Sequence, residues 1–374
     1  MNVQSLTVSH FRNLTDLTLE PSDGVNVIYG ENAQGKTNLI ESIWMFTGLR
    51  SFRGSREKEL LQFGEDRATL SMHFFNDVRK QNAQITISDK KQVTLGGVKL
   101  SSGTEMAGEF LATVFSPGHL DLIQGGPSER RKFLNQALCQ LKPNYAKRLS
   151  DFNRILQQRN MLLKDLRFHS ELLDMLDIWD DNFARFCVYL ARERARYFSQ
   201  LDPHLRNFYT GISGGREEIG LSYETDLFSK ETDLLGSDPQ ELKEEVLFSL
   251  RNHRAEDQMA GFSTIGPHRD DMAVTLNGIS AKAFGSQGQQ RSCALSLKMA
   301  EAAVVRDITG KQPIVLLDDV MSELDSRRQD YILNHIEGWQ VFLTCCEPST
   351  ILFSQDLKNG RLFEIKGGSL CSST

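Results

Sequence analysis

The chain has 374 residues, 40% of them hydrophobic and 25% charged, with 28 Gly and only 9 Pro, so it is a folded globular chain with room for two or three domains, or for one domain carrying an insertion. It has no run near the ~18 apolar residues of a membrane span, no apolar signal-peptide core in its first residues, MNVQSLTVSHFRNL, and no C-x-x-C spacing among cysteines 139, 187, 293, 345, 346 and 371; a cytoplasmic protein without membrane partner, disulfide framework or zinc site is expected. The net charge of -6, taken as a whole, argues against a nucleic-acid partner, because phosphates need a positive surface.

The first segment alternates apolar and polar residues through Val3, Leu6, Val8, Leu17 and Leu19, then closes on the apolar run Val25, Val27, Ile28, which predicts short strands with turns at Asn13 and Ser22-Asp23-Gly24. From Thr37 the period becomes helical, with Leu39, Ile40, Ile43, Trp44 and Phe46, until Gly48. Between strand and helix lies Gly30-Glu31-Asn32-Ala33-Gln34-Gly35-Lys36-Thr37, a match to G-x-x-x-x-G-K-[ST] in the setting that motif requires. Its glycines let backbone N–H groups curl around phosphate oxygens, the helix start adds partial positive charge, Lys36 reaches the terminal phosphates and the Thr37 hydroxyl can bind Mg2+. Binding of ATP or GTP is the strongest inference from residues alone.

From about Leu70 to Leu100, short alternating runs predict an antiparallel meander. Ser128 to Tyr209 reads as helical, with Pro143 suited to a first turn and an apolar stripe through Leu149, Phe152, Leu156, Leu162, Leu163 and Leu166. From Arg130 to Arg167 there are ten basic residues and two acids, a local charge of +8 that leaves -14 for the remainder. Such a surplus on a helical pair is an electrostatic footprint for phosphates, read without sequence preference; Arg130, Arg131, Lys132, Lys147 and Arg148 are the residues assigned to DNA. Ser213 to Asp257 is acidic and predicts a strand, a loop and a helix. His268 and Arg269 lie in a turn-like stretch and receive no chemistry.

Phe284-Gly285-Ser286-Gln287-Gly288-Gln289-Gln290-Arg291 precedes an amphipathic helix, and its small residues form a second anion-binding start in which Ser286 hydrogen-bonds phosphate and Gly288 lets the backbone approach. One pocket rarely needs two such loops, so this one is expected to meet the nucleotide of another subunit. Pro313 to Asp319 is an apolar run ending in two acids, expected to be a buried parallel strand that delivers Asp318 to Mg2+ and Asp319 to the attacking water. A last strand is predicted near Leu362-Phe363-Glu364-Ile365.

The phosphate loop, the S-Q-G-Q-Q-R loop and L-L-D-D-V-M-S-E-L-D, in that order, resemble an SMC-like ABC-type ATPase head. With Phe11-Arg12-Asn13, Phe115-Ser116-Pro117, Pro127-Ser128-Glu129-Arg130-Arg131 and Gly266-Pro267-His268-Arg269-Asp270-Asp271, the whole chain is similar to the RecF recombination-mediator family. The resemblance implies an α/β fold: an ABC/SMC-type head, with a mixed sheet around the two nucleotide motifs, interrupted by an α-helical arm. It places the head in 1–125 and 258–374 and the arm in 126–257. It further implies ATP and Mg2+ as ligands, an ATP-dependent homodimer, binding to single- and double-stranded DNA near gaps and junctions, and cooperation with RecO and RecR proteins in DNA repair, replication and the SOS response.

By the same resemblance, Gly30 to Thr37 is the Walker A loop, Ser286, Gly288 and Gln289 belong to the signature motif, Asp318 is the Walker B acid, Asp319 the catalytic position, and Ser322-Glu323-Leu324-Asp325 the D-loop. Two departures stand out: Ser116-Pro117 where transporter heads carry Gln, and Thr344-Cys345-Cys346 where they carry a switch His. With these and a short acid at 319, slow hydrolysis is expected, ATP acting as a timer. A transporter nucleotide-binding subunit and a structural adaptor with little hydrolysis are the alternatives; the long stretch between Lys36 and Ser286 speaks against the first.

Overall fold

The computed structural model describes residues 1–166, 168–321, 324–336, 338–347 and 360–373. Arg167 of the basic stretch and Ser322 and Glu323 of the expected D-loop lie outside the described residues. In chain order the elements are β1 (Asn2–Ser9), β2 (Leu17–Leu19), β3 (Val25–Tyr29), α1 (Lys36–Trp44), β4 (Ala68–Phe75), β5 (Lys80–Ile87), β6 (Gln92–Leu95), β7 (Val98–Lys99) and β8 (Ala112–Phe115). Then come α2 (Asp121–Gln124), α3 (Pro127–Leu141), α4 (Pro143–Asp165), α5 (Leu173–Ser213), β9 (Ile219–Glu224), α6 (Pro239–Ala260), β10 (Asp271–Leu276), β11 (Ile279–Ser280) and α7 (Ala281–Phe284). The chain closes with α8 (Gln287–Thr309), β12 (Ile314–Leu317), α9 (Ser326–His335), β13 (Val341–Cys345), β14 (Arg361–Lys366) and β15 (Ser369–Ser373).

Two compact units share these elements. The first comprises 1–120, 211–215 and 294–374, the second 121–210 and 216–293. In the first unit, one sheet runs β2-β1-β4-β5-β6-β7 and is antiparallel throughout. Its strands alternate burial, as in β4 with Ala68, Leu70, Met72 and Phe74 inward, because one face meets a core and the other water. The other sheet, β15-β14-β3-β13-β12-β8, has a parallel centre: β3, β13, β12 and β8 pair parallel. Ile314 to Leu317 of β12 are buried on both faces, the continuous apolar run that such a strand needs. All four of these strands therefore end on the same side of the sheet, where open α/β sheets place ligands.

The second unit holds the long helices and a small sheet, β11-β10-β9. Pro143 opens α4, where its missing N–H costs nothing, and Phe152, Leu162 and Leu163 of the expected stripe are buried. The arm was expected to end at 257, with the head resuming at 258. The second unit instead runs on to Cys293, because β10 pairs along its whole length with β9, Asp271 opposite Glu224 through Leu276 opposite Ile219. Ser286 and its loop consequently group with the helices.

Candidate functional site: a phosphate loop and two acids at the strand ends

β3 buries Val27 and Ile28 and delivers the chain to Gly30, whose φ of 150° is closed to ordinary side chains. A Cβ there would lie 2.3 Å from the Ile365 carbonyl oxygen, so the loop closes only on glycine. Gly35, at φ 116°, is similarly confined: its Cβ would lie 2.7 Å from Leu14 Cδ2 and 2.9 Å from Asn13 Oδ1. It stands before α1 without a side-chain cap, which leaves the first N–H groups of that helix for an outside acceptor. Between the glycines, Glu31, Asn32 and Ala33 are exposed and Gln34 is half-buried. Asn13 Nδ2 donates to the Ala33 carbonyl at 3.0 Å, Gly368 N donates to the Gln34 carbonyl at 3.0 Å, and the Cys346 thiol donates to Asn32 Oδ1 at 3.2 Å. The Lys36 ammonium, buried under the loop, donates to the carbonyls of Gly30 at 2.5 Å and Glu31 at 2.8 Å.

At the second residue of α1, the Thr37 hydroxyl donates to Asp318 Oδ1 at 2.8 Å. The two residues belong to different ends of the sequence and meet because β12 lies two strands from β3, with β13 between. Asp318 follows β12 directly, and its N–H donates to the Phe115 carbonyl at the end of β8 at 2.8 Å. The same Oδ1 accepts a second hydroxyl, from Thr344 of β13, at 2.9 Å. Burial raises the Asp318 carboxyl above its ordinary value, aided by the neighbouring Asp319, while the Thr37 and Thr344 bonds and Arg53 pull it back. Asp319 stands at φ 53°, uncommon for a residue with a side chain, and its N–H donates to Thr344 Oγ1 at 2.9 Å. Among the described residues no ion pair reaches Asp318. A buried carboxylate whose direct partners are neutral hydroxyls favours a cation at its side.

The residues present fit Mg2+ and a polyphosphate. Thr37 and Asp318 supply hard oxygen donors, as suits an ion that takes one or two protein oxygens and completes its shell with phosphate and water.

Several participants were not legible in the sequence. Glu41, fully buried in α1, takes Arg12 through both oxygens, at 2.9 and 3.0 Å, and lies 3.6 Å from Arg53, whose guanidinium donates to Asn38 Oδ1 at 2.8 Å. An acid inside the apolar helix LIESIW was the available signal, because a buried carboxylate requires partners. Thr344 gave none. At the position where Gln was absent, Ser116 N–H donates to His119 Nδ1 at 2.9 Å, so this nitrogen is the acceptor and a neutral His119 carries its proton on Nε2.

In the second unit, Ser286 and Gln289 form a reciprocal cap at the start of α8: Ser286 N–H donates to Gln289 Oε1 at 2.7 Å and Gln289 N–H to Ser286 Oγ at 3.3 Å. Gly288 contributes its carbonyl to the Ser292 hydroxyl at 2.9 Å. Ser286 is exposed, and Gly288 and Gln289 are half-buried.

The basic stretch divides. Arg130 is buried and bidentate to Asp271 at 2.6 and 2.8 Å; Arg131 donates to the Asp270 carbonyl at 2.8 Å, and burial lowers its pKa. Lys132 lies 3.9 Å from Glu129. Arg159 is fully buried, at 2.8 Å from Asp180 and 2.7 Å from Asp257. Lys147 and Arg148 are exposed, the latter over the rings of Phe186 at 5.8 Å and Tyr189 at 6.0 Å. The local +8 therefore overstates the surface charge, because part of it neutralises acids brought from beyond residue 167. His268 is structural in its contacts, with Nε2 3.0 Å from the Ser263 carbonyl. Burial, with Arg269, Arg131 and Arg159 nearby, pushes its pKa down to about 4.

A family model described as the RecF/RecN/SMC N terminal domain matches residues 2–359. The DNA replication and repair protein RecF of Lachnoclostridium phytofermentans is 35% identical over 372 residues, 99% of each chain, and that of Agathobacter rectalis is 36% identical over 353 residues, 92% of each. The solved structure of the recombination mediator protein RecF-ATP in the RecFOR pathway aligns with a TM-score of 0.91 at 33% identity, covering 100% of this chain and 97% of that one. An Smc head bound to the C-winged helix domain of ScpA, 14% identical with a TM-score of 0.56, shares the fold alone. The fold is thus the mixed α/β ABC/SMC-type head with a helical arm.

Proposed function

The chain belongs to the RecF family, and from that premise we propose that it is an ATP-dependent, DNA-binding recombination mediator that hydrolyses ATP slowly and uses it as a timer. The observation that carries the nucleotide part is the Thr37–Asp318 contact at 2.8 Å beside a loop that only glycine can close. Bound Mg2+-ATP supplies the reactive phosphoanhydride and neutralises its own phosphate charge. The chain's share is positional. The loop N–H groups and the start of α1 hold the phosphates, Lys36 donates to them, Thr37 and Asp318 hold the cation, and Asp319 orients the water. Ser286, Gly288 and Gln289 of one copy meet the nucleotide of a second copy, so ATP joins two chains. The dimer rests on DNA at gaps and single- to double-strand junctions, with exposed basic residues of the arm, Lys147 and Arg148 among them, against the backbone. RecO and RecR proteins are the partners that family membership points to. The cytoplasm is the expected location, in keeping with the absence, among the described residues, of a helix long and apolar enough to cross a membrane.

Sedimentation with and without ATP, repeated on gapped duplex DNA while phosphate release is followed, tests this reading. A shift from monomer to dimer with ATP, slow release, and dimers that persist on DNA in Asp319→Asn are expected. Sedimentation and DNA retention indifferent to ATP would refute it; dimerisation without any phosphate release would leave the adaptor reading instead.

A further inference from the structure

The Thr344 side chain bonds both acids of the site, Asp318 through its carboxylate and Asp319 through its backbone N–H. It sits fully buried in β13, at the strand end between β3, which leads into the phosphate loop, and β12, which leads into Asp318. Its hydroxyl proton goes to Asp318 Oδ1 at 2.9 Å, and its oxygen accepts the Asp319 N–H at 2.9 Å. One hydroxyl has one proton to give and lone pairs to receive, so both bonds form at once. With the Thr37 hydroxyl on the same oxygen, the Asp318 carboxylate is fixed about its own axis. The second bond acts on backbone: Asp319 stands at φ 53°, a conformation uncommon for a residue with a side chain, which surrounding contacts must hold.

We propose that Thr344 is a positioning residue for ATP hydrolysis, its hydroxyl fixing the cation-holding carboxylate of Asp318 and the turn that aims Asp319. The proposal rests on the ATPase reading above. Valine has nearly the shape of threonine and keeps the β-branched fit of a buried strand, but it strips Asp318 Oδ1 of one donor and leaves the Asp319 N–H without its acceptor. Serine keeps the hydroxyl and loses only a methyl group.

The test compares wild type, Thr344→Val and Thr344→Ser in single-turnover phosphate release, in binding of a fluorescent ATP analogue, and in the Mg2+ concentration giving half-maximal turnover. Partners that orient metal ligands typically carry about 10- to 100-fold in affinity or rate. Thr344→Val is therefore expected to lower turnover about 10-fold or more and to raise the Mg2+ requirement by a similar factor. Analogue binding, which the loop and Lys36 dominate, should change less than about 3-fold, and Thr344→Ser should recover both turnover and Mg2+ requirement to within about 3-fold of wild type. Wild-type turnover with unimpaired Thr344→Val overturns the role of Thr344 alone, as does equal loss in the Val and Ser variants or a loss of binding that matches the loss of rate. No turnover in the unaltered chain overturns this proposal together with the ATPase reading.

Discussion

Among the described residues both units bury aspartate, as a cluster in the second and as Asp318 in the first, and the two differ in what surrounds the carboxylates. In the second unit, Asp180, Asp257 and Asp270 each meet a buried guanidinium, Arg159 or Arg194, at 2.5 to 2.8 Å. Tyr223 adds a hydroxyl to Asp270, and Tyr145 and the Pro267 carbonyl take further bonds from Arg194. In the first unit, Asp318 meets two neutral hydroxyls and no cation among the described residues. The difference separates architecture from function. A carboxylate neutralised inside the protein has nothing left to offer a ligand, whereas one that is desolvated and only hydrogen-bonded offers its charge at the strand ends.

The largest effect expected on that contrast comes from Arg159→Ala, which leaves Asp180 and Asp257 buried without their partner. Removing one member of a buried pair costs about 3–5 kcal/mol, to be measured as a fall in the urea midpoint. Asp180 keeps a bond from Arg254 at 2.8 Å, so the loss is expected at the lower end of that range. Nucleotide affinity measured below the unfolding transition should stay unchanged; a stable Arg159→Ala protein that has lost ATP binding would erase the distinction between the two.

His268 gives a pH-dependent version of the same test. Its pKa falls to about 4 in the folded chain from an ordinary value of 6.5, so the folded state prefers the neutral ring. The unfolded chain binds the extra proton between those values, hence the ring's contribution is fully present above pH 6.5 and is lost as pH drops toward 4. A shift of this size corresponds to about 3 kcal/mol. The urea midpoint of wild type should fall relative to that of His268→Gln across this window, and parallel curves would show that the ring is not held neutral.

In the first unit the matching change is Lys36→Ala. The Lys36 ammonium donates to carbonyls of the loop it lies beneath, and each charge-assisted bond to phosphate is worth about 1.5–3 kcal/mol. ATP affinity should drop on the order of 100-fold with little change in the urea midpoint, the reverse of Arg159→Ala. Equal losses of stability and affinity would make Lys36 a structural residue.

The proposed nucleotide site was legible because its chemistry is local. Gly30 to Thr37 carries turn, charge and hydroxyl within eight consecutive residues, and the run before Asp318 announces a buried strand by its unbroken hydrophobicity. Thr344 was not legible, since nothing in Val-Phe-Leu-Thr-Cys tells which neighbouring strand ends beside it; strand order supplies that. Arg159 and Arg130 misled for a related reason. Along the sequence each adds to a positive stretch, while the acids that neutralise them, Asp257 and Asp271, come 98 and 141 residues later. The partnership of β9 with β10 was hidden in the same way, because the two strands find each other only in three dimensions.

The charge contrast also decides how DNA binding should be probed, with the smallest effect of the series. Arg130→Glu would set a second carboxylate against that of Asp271 and damage the second unit whether or not DNA binds there. Lys147 and Arg148 are exposed, and neither is in a described ion pair, so Lys147→Gln with Arg148→Gln removes two charges from the surface at little structural cost. If both meet phosphates, the slope of log affinity against log salt should shrink by about 2, with affinity at low salt down by about tenfold and the loss equal for all sequences. An unchanged slope would place the DNA surface elsewhere on the chain. A loss confined to one sequence would mean that bases are read, which a surface of solvated cations, unlike a fixed buried cluster, has no geometry to do.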